Sequence, residues 1–532
     1  MSVPIIRVLW MAGVLVISLW GLPTASGAEY YVDKDSLGGS ASNTNPGTLT
    51  APWQTIAKAN VSVKAGDTVN IRKGTYRETI SPRASGTETR RIMFRAFPSE
   101  KVTLTGVAFG IRMKGRSYVT IKGIDCIKTG RYVYLDNSHD IWIMDGVFDQ
   151  ATLKRGGPKG IRFLNNSHHN RIQRCWIGHS GYVKIEKSKT GLNDKGGLIN
   201  IGNDVKPGDD SSYNLIEDNT IAYGGHDTML IATSHNVIRN NYFHNEAWMP
   251  SPRDPNKKYG NRCIAGGGKN SGRNLFENNR IAFAGQPPDD DGAYGLERSS
   301  SFNIYRKNAF YYNGTAGIGL HSKWFGEASN NYIYFNTFYR NGVNKAIQNF
   351  HKGGISIQNY NGITPRNNVI KNNIFYKNFT SSDGWHKDRG FAVGGNVSLD
   401  DQVVVDNWRG AGDPLFVDDK SPVDPRNPNL PDFHLQAGSP CIDKGGWLTT
   451  VTSLSGSGKS FTVKDANYFM DGWGIIKGDI IQLENRTGTA RITKVNYATN
   501  TITVDKALTW NNGQGVSLPY EGSKPDIGAY EY

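Results

Sequence analysis

The sequence predicts an all-β chain wound as a parallel β-helix, that is, a β-solenoid. Three observations carry that reading. Six segments share one frame: Asn214-LIED-Asn219, Asn236-VIRN-Asn241, Asn274-LFEN-Asn279, Asn303-IYRK-Asn308, Asn331-YIYF-Asn336 and Asn368-VIKN-Asn373. Their starts lie 22, 38, 29, 28 and 37 residues apart, so a base unit of 22 carries insertions, and weaker copies precede them at 117–130, 138–150 and 169–181. The runs between Asn and Gly punctuation are short, alternating and rich in β-branched and aromatic residues, the pattern of strands joined by tight turns. Helical repeats of this length would instead show a 3.6-residue period over longer apolar faces. Three short strands per turn stack into coils that bury one another. Asn tolerates the left-handed conformation and its amide can bond along the stack, so the Asn columns are expected to be structural.

The elements follow in order. Arg7 precedes an apolar run from Val8 to Leu19, and Ser26, Gly27 and Ala28 offer small residues at a cleavage site. Residues 1–28 are therefore expected to be a removed signal peptide and the mature chain to be secreted, extracellular or periplasmic. No later stretch approaches the ~20 apolar residues of a membrane span. Residues 29–106 read as an N-terminal cap with the first coils and residues 107–446 as the solenoid. A different texture without the Asn frame (SFTVKDA, GDIIQLEN, GTARITKVNY, TITVDKAL) marks an inserted small antiparallel β-domain at 447–522. Residues 523–532 then read as a closing strand. The insert is expected either to bind a glycan or to cover the C-terminal end of the solenoid, with Trp473 and Trp510 as its sugar-stacking candidates, although core packing suits both.

Composition narrows the function. The 532 residues carry 61 Lys and Arg against 47 Asp and Glu, a formal charge of +14, and only 4 Cys. Four Cys exclude a disulfide-built scaffold, and Cys126, Cys175, Cys263 and Cys441 have no zinc-ligand spacing, so they read as buried thiols. A basic exported chain suits an anionic partner. The basic residues are dispersed and no nucleic-acid motif, phosphate-cradling loop or nucleophile elbow appears, so an acidic polysaccharide is the expected partner and nucleic acid is not. The chain is read as a monomer.

The opening segment Tyr30-YVDKDSLGGSASNTNPGTLTAPWQTIAKA with Ala65-GDTVNIRKGTYRETI, and the closing Gly438-SPCIDKG and Lys524-PDIGAYEY, complete a recognisable frame. The chain resembles the right-handed parallel β-helix proteins of the pectate-lyase-like superfamily, in secreted bacterial form. The resemblance implies a right-handed coil capped by a short helix. It is weak for the reaction, because the superfamily holds lyases, hydrolases, epimerases and non-catalytic proteins.

Aligning the strand that precedes each frame places Met113, Leu135, Phe163, Ile201, Ile231, Ile264, Leu296, Leu320 and Ile357 at one inward position. The outward neighbours then include Glu297 and His321 side by side, with Arg298 and Lys323 close by. Small residues (Ala232, Ala265, Gly266, Gly267, Gly268) leave a trough beside them, and insertions at 248–259, 286–292 and 342–352 border it. A slip of one residue would reverse the faces. The candidate catalytic residues are Lys323, His321, Arg298 and Glu297, and His226, Asp227, Arg262 and Trp248 are the substrate-binding candidates. β-Elimination on a uronic-acid polymer needs a base for the C5 proton and positive charge beside the carboxylate. Lys323 or His321 fits the base and Arg298 the neutraliser. The resemblance implies a cation that holds the uronate, so calcium is expected on Asp289, Asp290, Asp291 and Glu297. A glycoside hydrolase would instead pair Glu297 with Asp291 or Asp227, and a glycan-binding protein would use the trough without cleavage. Elimination is the favoured reading.

Overall fold

The computed structural model describes residues 27–152, 159–180, 197–202, 209–246, 249–250, 258–267, 271–285, 293–322, 326–344, 351–379, 390–420 and 429–532. Three parallel sheets wind around one core. Sheet A runs from Glu29–Val32 to Val403–Val405, sheet B from Gly74–Tyr76 to Trp408–Arg409, and sheet C from Phe109–Lys114 to Phe391–Gly394. Successive coils pair strand on strand, as in Ile216↔Ile238 and Ile221↔Phe243. Their inward side chains form fully buried columns; Phe310, Phe338 and Phe375 stack at 5.0 and 4.8 Å. The helix Ile56–Ser62, capped by the Thr55 hydroxyl, buries Ile56 and Ala59 in this core. Among the described residues no helix is long and apolar enough to cross a membrane. All four cysteines are free thiols and buried.

The Asn frames form continuous amide ladders. One runs Asn170–Asn214–Asn236–Asn274–Asn303–Asn331–Asn368 with amide-to-amide steps of 2.9–3.2 Å. The other runs Asn219–Asn241–Asn279–Asn308–Asn336–Asn373 at 2.9–3.1 Å. A third, through Asn313, Asn341 and Asn378, follows sheet B. These side chains replace water for backbone groups at corners where no strand ladder can do so. The left-handed residue is not the ladder Asn of the second column. It is the residue before it: Asp218, Asn240, Asn278, Lys307, Phe335 and Asn372, at φ between 52° and 57°.

The inserted domain is a six-stranded antiparallel sheet, from Thr449–Thr450 to Gly515–Ser517. It lies against the outer face of sheet A rather than over the end of the solenoid. Leu215, Val237, Leu275, Ile304, Tyr332 and Val369 share a core with Leu448, Phe469 and Ile481 there. Arg306 anchors the contact, bonded to Asp479 at 2.6 and 2.8 Å and to Glu277 at 2.7 Å, all buried or nearly so. Trp510 is a core residue, donating to the Leu454 carbonyl at 2.8 Å. Trp473 is half-buried against His235 at the domain junction.

Residues 523–532, expected to be a strand, form none. Pro525 has no N–H for a ladder, and the segment is held by separate contacts instead. Gly528 N bonds the Asn372 carbonyl at 3.0 Å, Ala529 N the Thr337 hydroxyl at 3.2 Å, and Ile527 packs beside Tyr311 and Phe433. Burial and the nearby Asp526 carboxylate push Glu531 from 4.5 up to about 8.

Two stability predictions follow from these contacts. Asn308 accepts from the Asn279 backbone and amide and donates to the Phe276 and Arg306 carbonyls. Each buried group left unpaired costs ~1–3 kcal/mol, so Asn308→Ala should lower urea stability by about 3 kcal/mol or more. Glu531 keeps its proton in the folded chain at pH values where the unfolded chain has lost it. Its contribution to stability is therefore present below about 4.5 and lost as pH rises towards about 8. Glu531→Gln should flatten that decline in a Tm–pH profile; an unchanged slope would remove Glu531 as its source.

Candidate active site

The outward face of sheet C carries a buried charged cluster. It forms on the strands Asp227–Ile231, Arg262–Gly267, Leu296–Ser299 and Ala316–Ser322, which pair in that order. Alternation sends Leu296 inward and Glu297 outward, and the same rule puts Gly319 and His321 on Glu297's face. The register differs from the expected one by two residues at two places. Met229, not Ile231, is level with Ile264, and Ile318, not Leu320, is level with Leu296. An even slip preserves the faces, so His321 becomes a diagonal neighbour of Glu297 and still reaches it.

Arg262 is the centre of the cluster. Its Nε donates to Asp227 Oδ1 at 2.9 Å and its Nη1 to Glu297 Oε2 at 2.5 Å. Its Nη2 donates to His226 Nε2 at 2.7 Å. A guanidinium only donates, so His226 accepts through an unprotonated nitrogen and is neutral in this arrangement. Asp227 and Glu297 are 1 % and 2 % exposed, which two carboxylates tolerate only because one cation bridges them.

Glu297 Oε1 meets His321 Nδ1 at 2.8 Å. The carboxylate only accepts, so the ring proton lies on Nδ1 and Nε2 is the basic nitrogen of the neutral ring. The imidazole rests above Gly319, where an added Cβ would come 3.0 Å from Nε2 and 2.9 Å from the Tyr294 ring. Tyr294 and Tyr360 present their rings edge-on to His321 at 4.6 and 5.4 Å. The Tyr294 hydroxyl lies 2.6 Å from His351 Nδ1, and Tyr360's lies 3.4 Å from the same atom. Burial, reinforced by the Glu297 charge, holds the Tyr294 phenol well above its ordinary range and pushes Tyr360 up to about 12, so both keep their protons.

Arg298 does not belong to this face. Alternation turns it inward, level with Leu320, and its guanidinium is fully buried. It donates to the Ile231 and Ser271 carbonyls at 2.7 and 2.8 Å and to the Ser300 hydroxyl at 3.0 Å. Gly266, at φ 135°, makes room for it: a Cβ there would lie 2.6 Å from Arg298 Nη1 and 2.1 Å from the Ile231 carbonyl. Gly266 thus houses a buried arginine instead of opening a substrate trough, and Arg298 cannot neutralise a bound uronate. Lys323, Trp248, Asp289, Asp290, Asp291 and Gly268 lie outside the described residues. Among the described residues no group of three or more His, Cys, Asp or Glu is placed to hold a metal. Calcium takes six to eight oxygens, whereas Glu297 has both of its oxygens engaged by Arg262 and His321. The described cluster does not fit that ion.

Tyr294, His351 and Tyr360 were not among the sequence candidates. Tyr294 stands three residues before Glu297, and His351 and Tyr360 flank the strand Gly353–Asn359. Tyr294 already opens the aligned segment 294–299, and extending the segment 354–359 by three residues at either end includes His351 and Tyr360.

Residues 36–196 match the family model described as Pel9A-like, right handed beta helix region, a span that closes before His226. The uncharacterized protein YwoF of Bacillus subtilis (strain 168) is 26 % identical over 191 residues, covering 31 % of this chain. The match spans 41 % of that relative's length. Among solved structures, pectate lyase Pel9A is 13 % identical with a TM-score of 0.46, covering 95 % of this chain and 97 % of its own. The GH136 lacto-N-biosidase from Eubacterium ramulus is also 13 % identical, with a TM-score of 0.40 over 72 % of this chain and 67 % of that one. The coil is a right-handed parallel β-helix, and residues 36–196 are the part similar to the Pel9A-like region. At these levels of likeness the chemistry must be argued from the site's own residues.

Removing Arg262 leaves two buried carboxylates without a cation, a situation that costs ~3–5 kcal/mol. Arg262→Ala should lower unfolding stability by about that amount. Arg262→Ala combined with Asp227→Asn and Glu297→Gln should recover part of it, because the uncompensated charge is gone. Calorimetric unfolding of the three proteins checks this, and a single variant as stable as the wild type would refute the bridge.

Proposed function

We propose that the chain is an exported polysaccharide lyase that cleaves a uronic-acid-containing polymer by β-elimination. The observation that carries the reading is the Glu297–His321 pair. A carboxylate holds the imidazole by Nδ1, so Nε2 is the proton acceptor and the imidazolium formed on taking the C5 proton faces a fixed negative charge. The Tyr294 hydroxyl, kept protonated by burial beside the same carboxylate, is the group able to return a proton to the departing O4. His321 is fully buried and Tyr360, 47 % exposed, packs against it, so a sugar reaches the imidazole only if a neighbouring side chain such as Tyr360 gives way. The match to a Pel9A-like family model supports a lyase-type chemistry. The basic charge of the chain supports an anionic substrate.

Hydrolysis is the weaker reading for a specific reason. It needs one carboxylic acid to donate and a second to act as base or nucleophile, yet Asp227 and Glu297 are tied to the same guanidinium. Lys323, two residues beyond His321, is the cation this mechanism assigns to the uronate carboxylate in place of Arg298. Asp289, Asp290 and Asp291 are the carboxylates this reading assigns to calcium.

The test follows absorbance and reducing ends together on a panel of acidic and neutral polysaccharides, with calcium or with chelator. An unsaturated product from a uronic polymer is expected. His321→Ala should lower kcat about 10²–10⁴-fold, the usual worth of a positioned base, with a loss of ~1–3 kcal/mol in stability from the buried bond to Glu297, so kcat is measured well below the variant's unfolding transition. Reducing ends without absorbance would overturn elimination. Full activity in His321→Ala would move the base to Lys323.

A further inference from the structure

The inserted domain and sheet A line a cleft of ≈ 510 Å³, on a different face of the solenoid from the His321 site. Sheet A contributes Arg171 and Arg239, the inserted domain contributes Lys477 and Arg491, and Glu217 is the one carboxylate among the lining residues. Two of the four cations, Arg171 and Arg491, bond neutral groups. Arg171 lies over the Trp142 indole, 4.8 Å from its centroid, and donates to the Ile475 carbonyl at 3.2 Å. Arg491 donates to the Gly478 carbonyl at 2.7 Å, and Lys477 is exposed at the rim. Glu217 is already bonded to Arg239 and to Gln173. Docking the domain therefore brings like charges together in a half-buried space. Burial disfavours the Arg171 charge, the Glu217 and Asp140 carboxylates oppose that, and Arg239 adds a smaller unfavourable push. An anion bound among them would offset that repulsion.

The cleft is too large for a lone ion and lies within the volume range of small-ligand sites. His169, Tyr213 and Trp473, each two residues before a lining residue in sequence, form part of one ring ladder beside the domain junction. His169 stacks on Tyr213 at 5.4 Å, Tyr213 on His235 at 5.0 Å, and His235 meets Trp473 edge-on at 5.2 Å. Guanidinium groups recognise a carboxylate through paired N–H donors, so a sugar that carries a carboxylate is the small ligand that suits these cations.

We propose that this cleft is a non-catalytic binding site for a uronate segment of an acidic polysaccharide. The assignment rests on the substrate class proposed above. It makes the insert a tether, holding one stretch of polymer while the His321 site works on another and so raising the local substrate concentration.

The experiment is isothermal titration of the full mature chain carrying His321→Ala, using hexamers of galacturonate and of mannuronate at low salt. Two binding events are expected for at least one hexamer. The double variant Lys477→Glu, Arg491→Glu should remove one of them or weaken it at least tenfold. The control Lys459→Glu, Lys506→Glu makes the same charge change at exposed positions of the same domain and should leave both. With His321 restored, the cleft variant should raise KM on long polymer about five- to tenfold and leave kcat on a short oligomer unchanged. Equal binding in both charge variants would overturn the site, as would competition by inorganic sulfate at the concentration at which the hexamer binds. Because titration does not depend on turnover, hexamer binding that the cleft variant abolishes, without any cleavage by the wild type, would sink the elimination reading and keep the cleft. Turnover with no cleft-dependent binding would do the reverse.

Discussion

The amide ladders at the corners of the coil fix which residues can meet. Each ladder Asn ties its own turn to the next by donating its backbone N–H and an amide hydrogen to the next Asn Oδ1, as Asn214 does to Asn236 and Asn236 to Asn274. Two ladders bracket sheet A, so the passage from sheet A to sheet B has constant length and cannot absorb an insertion. The extra residues of the longer repeats are therefore placed on either side of sheet C. That division leaves sheet C with neighbours of variable length at both ends, and there the charged cluster stands. Scaffold and site are thus separated by the same bonds that set the coil.

The ladder frames and the alternation of the strands made the solenoid legible in the sequence, and with it the face on which Glu297 and His321 lie. Their relative level was not legible. The stretch between a sheet C strand and the next ladder Asn varies: the Asn stands four residues after Ser299 but thirteen after Ile201. A two-residue slip can be taken up there without turning any side chain over. His321 still reaches Glu297 because a diagonal neighbour lies within range of a long side chain. Arg298 was misjudged for the opposite reason. Alternation points it inward, but a guanidinium in a solenoid core is acceptable only where carbonyls of turning backbone converge and a neighbour has no Cβ. Ile231, Ser271 and Gly266 provide that combination, and it is a property of three coils together.

The docking of the inserted domain has a plainer trace. The first outward position of sheet A reads Thr120, Trp142 and Arg171 in the early coils, then Leu215, Val237, Leu275, Ile304, Tyr332 and Val369. A solvent-facing row has no reason to turn aliphatic for six coils, so this row marks where something must cover the sheet. Only the identity of the cover needed the structure, because nothing local in residues 447–522 says which face they will meet.

Arg306 shows why that cover acts as part of the solenoid instead of a loosely attached module. Its burial opposes the charge, but Asp479 and Glu277 more than offset this and hold its pKa well above the ordinary value. Asp479 lies in the insert and Glu277 on the neighbouring coil, so separating the two bodies would strand a buried charge, at a cost of ~3–5 kcal/mol before any apolar surface is counted. Tyr334, donating to the Tyr468 carbonyl at 2.6 Å, and Tyr332, bonded to Asp465 at 2.7 Å, flank the same contact. Lys477 and Arg491 are therefore fixed relative to Arg171 and Arg239, and through the continuous core of the coils relative to His321. A polymer that touches both faces meets two sites at a set distance, and that distance selects the lengths of chain able to occupy them together.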